Sequence, residues 1–300
     1  MNFKDFDAKF PDDAACLDFI FRARYTGHVC ECGKSDCFHR RKKRRAYACA
    51  FCGAQIYPTA DTIFHKSETS LKSWFFAIFL FAKSKNGVAA KELERQLGVT
   101  YKTAHRMGHK IRELMASGGD LLSGVVEADE TYIGGVSEGK RGRGALGKTA
   151  VIGIAERRGG VVAKVMDRVT TDNAIKLIRK NVKPGTTVHT DEFPIYNYVG
   201  KLGFAHEVVN HGEKEYVRGI VHTNSVEGYF SVLKRGLIGI YQHVSEAHLH
   251  RYLSEFDFRH NNRIALGVDD EQRAEKLLRG VKGRRLTYKQ GTQRKVDKAT

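Results

Sequence analysis

GVVEADETYIGG, residues 124–135, carries an apolar run that ends on the acid Asp129. TTVHTDEFPIYN, residues 186–197, carries a second, β-branched run that ends on Asp191. Runs of this kind predict short strands. Each acid therefore lies at a strand end, where the backbone can hold a carboxylate rigidly.

A third acid, Glu227, opens the helix-period segment HTNSVEGYFSVLKRG, residues 222–236. Two strand ends and a helix can bring three carboxylates to one point. Such a site can hold two Mg²⁺ (or Mn²⁺) ions, which activate water and stabilise the leaving oxygen in phosphodiester chemistry. The pattern predicts a catalytic triad of Asp129, Asp191 and Glu227.

The helix of Glu227 offers two further candidates on the same face, Asn224 three residues before Glu227 and Lys234 seven residues after it. Asn224 is the rival third ligand, since a carboxamide oxygen can coordinate a cation without contributing charge. Lys234 suits a phosphate contact, and a solvated lysine is the alternative.

Three more acids adjoin the triad. Glu127 lies on the same strand face as Asp129 and is either a supporting group or an exposed carboxylate, but not a ligand. Glu130 and Glu192 directly follow the two aspartates, so they should point to opposite strand faces and are weaker candidates.

The elements between the acids can be predicted from their patterns. Residues 149–157 and 161–169 are strand-like and joined by a Gly-Gly turn, and residues 172–181 form a helix that starts on Asp172. The strand of Asp191 follows, then a strand at residues 206–210. This order predicts a mixed α/β fold with an RNase-H-like core.

Composition favours a phosphate-rich partner. The chain of 300 residues has 51 Lys and Arg against 34 Asp and Glu, a formal charge of +17, which is typical of nucleic-acid binding. The longest apolar run, residues 74–82, is far shorter than the ~20 residues of a membrane span. No charged-then-apolar leader opens the chain. We expect a cytoplasmic protein without membrane contact.

Five of the six cysteines lie between Cys30 and Cys52. The Cys49-x-x-Cys52 turn followed by glycine is typical of a zinc knuckle, whereas Cys30-x-Cys32 departs from the usual C-x-x-C spacing. Our first choice for one structural Zn²⁺ is the ligand set Cys30, Cys32, Cys49 and Cys52. Cys37 and His39 are spare ligands, and a disulfide pair or free thiols are the alternatives to zinc. Cys16 stands apart in an apolar context and is expected in the core.

Six consecutive cations separate the two cysteine pairs. With zinc on both sides, they are predicted to form a loop that binds DNA phosphates; a solvated hairpin loop is the alternative. The residues are Arg40, Arg41, Lys42, Lys43, Arg44 and Arg45.

Residues 88–115 have the pattern of a helix-turn-helix. The first helix, residues 89–97, ends at Gly98, and the second runs over residues 102–115. Ala104, Met107, Ile111 and Leu114 form one apolar stripe. The second helix would present Lys102, Thr103 and Arg106 to base edges. A purely structural helical hairpin is the alternative.

One motif is misleading. Residues 142–149 match the phosphate-binding loop of NTPases, G-x-x-x-x-G-K-[ST]. That loop must open a helix, but the residues that follow are strand-like. We expect a basic loop between two strands and no nucleotide cofactor.

The strings ADETYIGG, HTDEFPIYN and HTNSVEGYFSVLKRGLIGIYQHVS, together with YPTADTIFHKSETSLKSWFFAIFLFAKSKNG and ELERQLGVTYKTAHRM, resemble a known family. Over about residues 20–262 the chain resembles bacterial insertion-sequence transposases of the DDE type with a zinc ribbon and an ISXO-like domain. In related transposases an asparagine in this string is sometimes assigned the third position of the triad. Four regions are then expected: a ribbon segment at 1–56, a helix-turn-helix module at 57–118, the catalytic domain at 119–265 and a basic tail at 266–300. Residues 271–300 of that tail are expected to be disordered or to become ordered only on DNA.

The resemblance implies metal-dependent strand cleavage at transposon ends and transfer of the freed 3′-hydroxyl into target DNA. The expected partners are double-stranded DNA, both element ends and target, and a second copy of the chain in a homodimer or higher assembly. A bacterial protein of this kind would associate with the nucleoid when bound. Two other functions stay open: a structure-selective RNase-H-like nuclease and a zinc-ribbon DNA-binding regulator without catalysis.

Overall fold

The computed structural model describes residues 2–116, 119–134, 147–213, 215, 217–281 and 283. They divide into two compact units. Unit 1 comprises Met1–Ser84, Val88–Leu114 and Asp270–Thr300, and unit 2 comprises Lys85–Gly87 and Met115–Asp269. Both contain helices and strands, so the fold is mixed α/β as expected.

The helices of the described residues are α1 Phe3–Lys9, α2 Asp13–Tyr25, α3 Leu71–Lys83, α4 Ala90–Leu97, α5 Tyr101–Met115, α6 Thr171–Asn181, α7 Asn224–Gly236, α8 Glu246–Asn261 and α9 Asp270–Arg279. The strands are β1 Phe38–Arg40, β2 Tyr47–Cys49, β3 Gln55–Ile56, β4 Val125–Ile133, β5 Thr149–Glu156, β6 Val161–Met166, β7 Thr187–Asp191 and β8 Ala205–Val209. In the described part of the chain, no helix has the length and hydropathy that a membrane crossing requires.

Unit 1 combines α-helices with a small antiparallel sheet of order β1-β2-β3. Helix α3 contributes its aromatic side chains to the core, with Trp74, Phe75 and Phe81 all at most 2% exposed. The helix-turn-helix pattern is confirmed as two helices. Gly98 ends α4 in the left-handed conformation, φ 62°, which glycine adopts without a Cβ clash. The whole predicted stripe of α5 is buried.

Unit 2 is built on a five-stranded mixed sheet of order β6-β5-β4-β7-β8. The first three strands in the chain, β4, β5 and β6, pair antiparallel, while β4-β7 and β7-β8 pair parallel. One apolar cluster on this sheet includes Ile178 of α6, and a second includes Phe230 of α7 and Leu253 of α8. Both faces of the sheet are covered because its strands are apolar on both sides.

Two details of the sequence prediction are wrong. Helix α6 is capped by Thr170 rather than Asp172, because the Thr170 side chain accepts the Asn173 N–H at 3.3 Å. Asp172 lies within the first turn, where its negative charge interacts favourably with the helix dipole. Strand β6 ends at Met166, three residues before the predicted end, since the charged residues Asp167 and Arg168 lead into the helix.

The predicted basic tail contains a packed helix. Helix α9 buries Ala274, Leu277 and Leu278, and the Arg273 guanidinium donates to the Ala82 carbonyl oxygen at 2.8 Å. Apolar residues at spacings of three and four are enough for one buried stripe even in a strongly charged segment. The rest of the tail, residues 284–300, and residues 142–146 of the NTPase-like motif lie outside the described residues.

Candidate active site and cysteine cluster

Asp129 and Asp191 lie beside each other on neighbouring strands. Strands β4 and β7 are parallel, with Glu127 opposite His189, an offset of 189 − 127 = 62 residues. Continuing that register by two residues places Asp129 next to Asp191. The parallel pairing therefore brings together the two aspartates that the sequence singles out. Asp191 ends β7 as predicted, but the predicted strand end at Asp129 is wrong, because β4 continues to Ile133.

The cluster also contains a residue that the sequence prediction ranked low. Carboxylate oxygens of Asp129, Glu130 and Asp191 all lie within 4.8 Å of one another. Glu130 was expected on the opposite face, but its side chain reaches the group, and the buried Tyr196 hydroxyl donates to its Oε2 at 3.4 Å. The signal in the sequence was the adjacency of two acids, Asp129 and Glu130, within one strand.

Burial and mutual repulsion disfavour the ionised form of the carboxylates in this group. Burial, and then the charges of Glu130 and Asp191, raise the pKa of Asp129 to about 8, and the charge of Glu227 adds to the shift. The backbone N–H of Glu130 donates to Asp129 Oδ1 at 2.7 Å and acts in the opposite direction. A bound cation would relieve this repulsion.

Glu227 and Asn224 occupy the first turn of α7, and both are exposed. Among the described residues Glu227 is not part of the carboxylate group within 4.8 Å, although its charge acts on Asp129. Its Oε1 accepts the Thr223 hydroxyl at 2.7 Å. Lys234, two turns further along α7, is also exposed. Asp129 and Asp191 therefore lie close together, whereas the carboxylate of Glu227 lies outside their group.

Glu127 anchors α7 to the sheet. This carboxylate is 0% exposed, which rules out the exposed alternative. Its Oε2 accepts the backbone N–H groups of Ser225 at 2.6 Å and Val226 at 3.2 Å. The guanidinium of Arg157 donates to Oε1 at 2.7 Å. An acid from β4 therefore satisfies the free amides at the start of the helix that carries Glu227.

Gly153 permits α7 to approach the sheet beside Asp129. It lies on β5 directly opposite Asp129. A Cβ at this position would lie 2.7 Å from Phe230 Cζ and 3.2 Å from Val226 Cγ2. Any larger residue would have to displace the helix.

The cysteine cluster of unit 1 joins the segment before β1 to the end of β2 and the turn that follows it. The sulfurs of Cys30, Cys32, Cys49 and Cys52 all lie within 4.8 Å of one another. Four sulfurs at ~2.3 Å from one tetrahedral ion stand about 3.8 Å apart, close to the 3.4 Å of Cys30 and Cys52 and the 3.7 Å of Cys32 and Cys49. The donor set is compatible with a zinc ribbon.

Hydrogen bonds from the knuckle favour a thiolate within this cluster. The backbone N–H of Cys52, followed by that of Phe51, lowers the pKa of Cys49 to about 6, and a thiolate is the form that binds metal. The spare candidates lie outside the group of four. Cys37 is nevertheless close, with its sulfur 3.4 Å from that of Cys49. Cys16 is fully buried, as expected.

The six consecutive cations are not equivalent. Arg40, Arg41, Lys42, Lys43 and Arg44 are exposed and line a surface cavity of about 520 Å³. Arg45 instead donates to the carbonyl oxygens of Ser67 at 3.0 Å and Thr69 at 3.1 Å. Arg40 also pairs with Asp18 at 3.5 Å. Phosphate binding stays a prediction for the exposed members, while Arg45 is engaged within the protein.

The predicted base readers lie in the first two turns of α5. Lys102 and Arg106 are exposed, and Thr103 is half-buried. The Thr100 hydroxyl accepts the backbone N–H of Thr103 at 3.3 Å, so a side chain from the turn satisfies one free amide of the helix.

Comparisons with known proteins agree on one family. A sequence model of the ISXO2-like transposase domain matches residues 121–261. An "uncharacterized protein in transposable element ISH50" of Halobacterium salinarum is 29% identical over 230 residues, 71% of this chain and 77% of the relative. An "uncharacterized transposase-like protein" of Haemophilus influenzae is 28% identical over 102 residues, 34% of this chain and 81% of that protein.

Among solved structures, a chain of the simian T-cell lymphotropic virus intasome in complex with PP2A regulatory subunit B56 gamma is similar at 15% identity. The match covers 60% of this chain and 65% of that chain with a TM-score of 0.30, which is too low to support an argument. Residues 121–261 are thus similar to the ISXO2-like transposase domain, and together with the two relatives this similarity supports an insertion-sequence transposase.

Proposed function

We propose that the chain is a DNA transposase that cleaves a strand at each element end and joins the freed 3′-hydroxyl to target DNA. The observation that carries this proposal is the placement of Asp129 beside Asp191, with Glu227 close enough for its charge to act on Asp129. Paired acids of this kind are suited to phosphodiester chemistry.

The catalytic domain, residues 119–265, is proposed to be RNase-H-like. Support comes from a sheet that combines three antiparallel strands with two parallel ones, and from acids on its central strand β4 and on the neighbouring strand β7. A later helix, α7, packs on this sheet through Phe230 and presents Glu227.

The carboxylates fit hard divalent cations, because Mg²⁺ and Mn²⁺ prefer oxygen ligands. Asp129 and Asp191 would hold two such ions, with Glu227 as the third ligand and Asn224 as its rival. When bound, the ions would supply Lewis-acid activation of water and stabilisation of the leaving oxygen. The chain's own part is to position these groups: Tyr196 orients Glu130, and Glu127 fixes the start of α7.

Two displacements at this site account for the reaction. In the first, a water oxygen bonds to phosphorus at the element end, the bond from phosphorus to the 3′ oxygen breaks, and that oxygen takes up a proton. In the second, the 3′-hydroxyl loses its proton and its oxygen bonds to a target phosphorus, the bond from that phosphorus to the target 3′ oxygen breaks, and the released oxygen takes up a proton. No covalent link to the protein is required.

The remaining regions are proposed to bind DNA. The ribbon at 1–56, with one zinc held by the four-cysteine cluster, would present its basic loop to phosphates. The helices at 57–118 would bind element ends, and Lys234 would contact a phosphate near the active site. Synapsis of two ends requires at least a homodimer. We place this activity at the bacterial nucleoid, in the cytoplasm.

The test is a strand-transfer assay with labelled duplexes that carry the inverted repeats flanking the reading frame. Asp129→Asn and Asp191→Asn should each abolish cleavage while leaving duplex affinity within about twofold, because cation binding depends on charge at these positions. Glu207→Gln is the matched control, since this exposed acid of β8 pairs with Arg218 away from the cluster. Near-normal nicking by Asp191→Asn would refute the assignment.

The same assay decides the third ligand. Glu227→Gln should lose metal-dependent nicking, whereas Asn224→Ala and Glu130→Gln should retain it. Loss of nicking only in Asn224→Ala, or only in Glu130→Gln, would transfer the third position to that residue. Nicking without strand transfer by the wild-type protein would favour a nuclease.

A further inference from the structure

We propose that a polar cavity in unit 1 binds a phosphate group of the DNA backbone. The cavity lies between residues 66–69 and helix α5 and has a volume of about 330 Å³. Its lining includes Lys66, Glu68, Thr69, Thr103, Arg106 and Lys110. This inference rests on the proposed DNA binding and deepens it, because it assigns one contact to the backbone rather than to the bases.

The cavity has a surplus of positive charge. Lys66 and Arg106 are exposed, and within the described residues neither side chain has an ion-pair or hydrogen-bond partner. Lys110 adds a third cation that is only 4% exposed. A buried charge is screened less by salt than an exposed one. Against these three cations stands one acid, Glu68, so the net charge attracts an anion.

The cavity wall is fixed before any ligand arrives. The Arg45 guanidinium donates to the carbonyl oxygens of Ser67 and Thr69. The Trp74 indole N–H donates to the Ser67 hydroxyl at 2.9 Å. Lys110 Nζ donates to the Ile63 carbonyl oxygen at 2.6 Å. A site whose loop is already held in place loses little conformational entropy on binding.

The groups that face the cavity suit a phosphate rather than a base. Thr69 and Thr103 offer hydroxyls, and Arg106 offers a planar fork of donors that matches phosphate oxygens. Trp74 also borders the cavity, but it is only 2% exposed, so its ring face is not open for a base to stack. The volume is near the lower end of small-ligand sites, roughly 300–1,000 Å³.

This assignment changes the expected roles of two residues on α5. Thr103 and Arg106, predicted as base readers, would hold the backbone and set the register of the helix on the duplex. Lys102 does not line the cavity and keeps its predicted role at a base edge.

Trp74 is the single tryptophan of the chain, so the fluorescence of the full-length protein reports on this cavity. The experiment titrates the protein with two duplexes of unrelated sequence and, separately, with inorganic phosphate. Lys66→Asn and Arg106→Ala remove one cation each; asparagine tolerates the left-handed backbone of Lys66, φ 51°. Arg95→Ala is the matched control, because Arg95 is exposed on α4 and does not line the cavity.

We expect both duplexes to change the Trp74 fluorescence, and inorganic phosphate to do so only at far higher concentration. Each cavity variant should weaken both duplexes about tenfold and lower the slope of log affinity against log salt by about 0.9. Arg95→Ala should stay within twofold of wild type. A loss confined to one duplex in Arg106→Ala, or wild-type affinity in both cavity variants, would overturn the cavity assignment while leaving the proposed function intact. A wild-type protein that binds neither duplex would refute both.

Discussion

Glu127 and Ser225 are 98 positions apart in the chain, yet the Glu127 carboxylate accepts both the backbone N–H of Ser225 at 2.6 Å and its hydroxyl at 3.0 Å. Glu127 lies two residues before Asp129, and Ser225 lies two residues before Glu227. The contact therefore fixes the distance between the strand and the helix that carry the proposed catalytic acids.

Glu127→Ala should lower the free energy of unfolding by about 3–5 kcal/mol, because it removes the acceptor of two helix amides and the ion-pair partner of the half-buried Arg157. Glu127→Gln should lose less, since one acceptor oxygen stays. Denaturant unfolding measures both. Glu207→Gln, which removes one partner of an exposed ion pair, should change stability by less than about 0.5 kcal/mol. Wild-type stability in Glu127→Ala would contradict the anchoring role.

Gly153→Ala should push α7 away from the sheet, because the new methyl group would lie 2.7 Å from Phe230 Cζ. We expect a loss of about 1–3 kcal/mol and a drop in strand cleavage with unchanged duplex affinity. Gly228→Ala is the control on the same helix. No atom lies within 4 Å of its added Cβ, so it should stabilise α7 by about 0.5–1 kcal/mol. Equal effects of the two variants would rule out close packing at Gly153.

Purified protein should contain about one zinc per chain, and Cys32→Ser, Cys49→Ser and Cys52→Ser should each release it. The three strands of the small sheet span only three, three and two residues, so this sheet should unfold without metal. Metal analysis and circular dichroism measure the two effects. Cys37→Ser and Cys16→Ala, outside the group of four, should retain zinc. Zinc loss in Cys37→Ser alone would replace one of the assigned ligands.

Arg45→Ala and Arg44→Ala should separate two roles within one run of cations. Arg45→Ala removes the donor of two carbonyl oxygens and should cost about 1–3 kcal/mol of stability. Arg44→Ala should leave stability within about 0.5 kcal/mol and weaken binding to all duplexes alike. Thermal unfolding and salt-dependent duplex binding test the pair. Equal stability of the two variants would show that the Arg45 contacts contribute little.

Local patterns were sufficient for the elements that carry the proposed site. The run that ends on Asp191 predicted the end of β7, whereas the run before Asp129 predicted a strand but not its length, since β4 continues to Ile133. The parallel register of β4 and β7 brings the two aspartates together. The stripe of α5 was predictable for the same reason, since burial there follows a single helical period.

The contacts that support the site could not be predicted from these local patterns. Glu127 is buried only because α7 returns to the sheet from far along the chain, and no local spacing encodes that contact. Arg45 looks like its five neighbours in the sequence, and its contacts with Asp13 and with the carbonyl groups of Ser67 and Thr69 distinguish it. Glu130 departs from strand alternation because its carboxylate reaches the group at the strand end.

The late position of α9 in the sequence imposes an order on the folding of the chain. It closes unit 1 by packing on α3, where Arg273 donates to Ala82, yet the ribosome makes it only after the whole of unit 2. Domains generally fold during synthesis from the N-terminus onward, but here unit 1 cannot be completed until α9 has been synthesised. A prematurely terminated chain would leave the α9-binding side of α3 uncovered. Only a chain synthesised through α9 would therefore have a complete unit 1 for the proposed DNA binding.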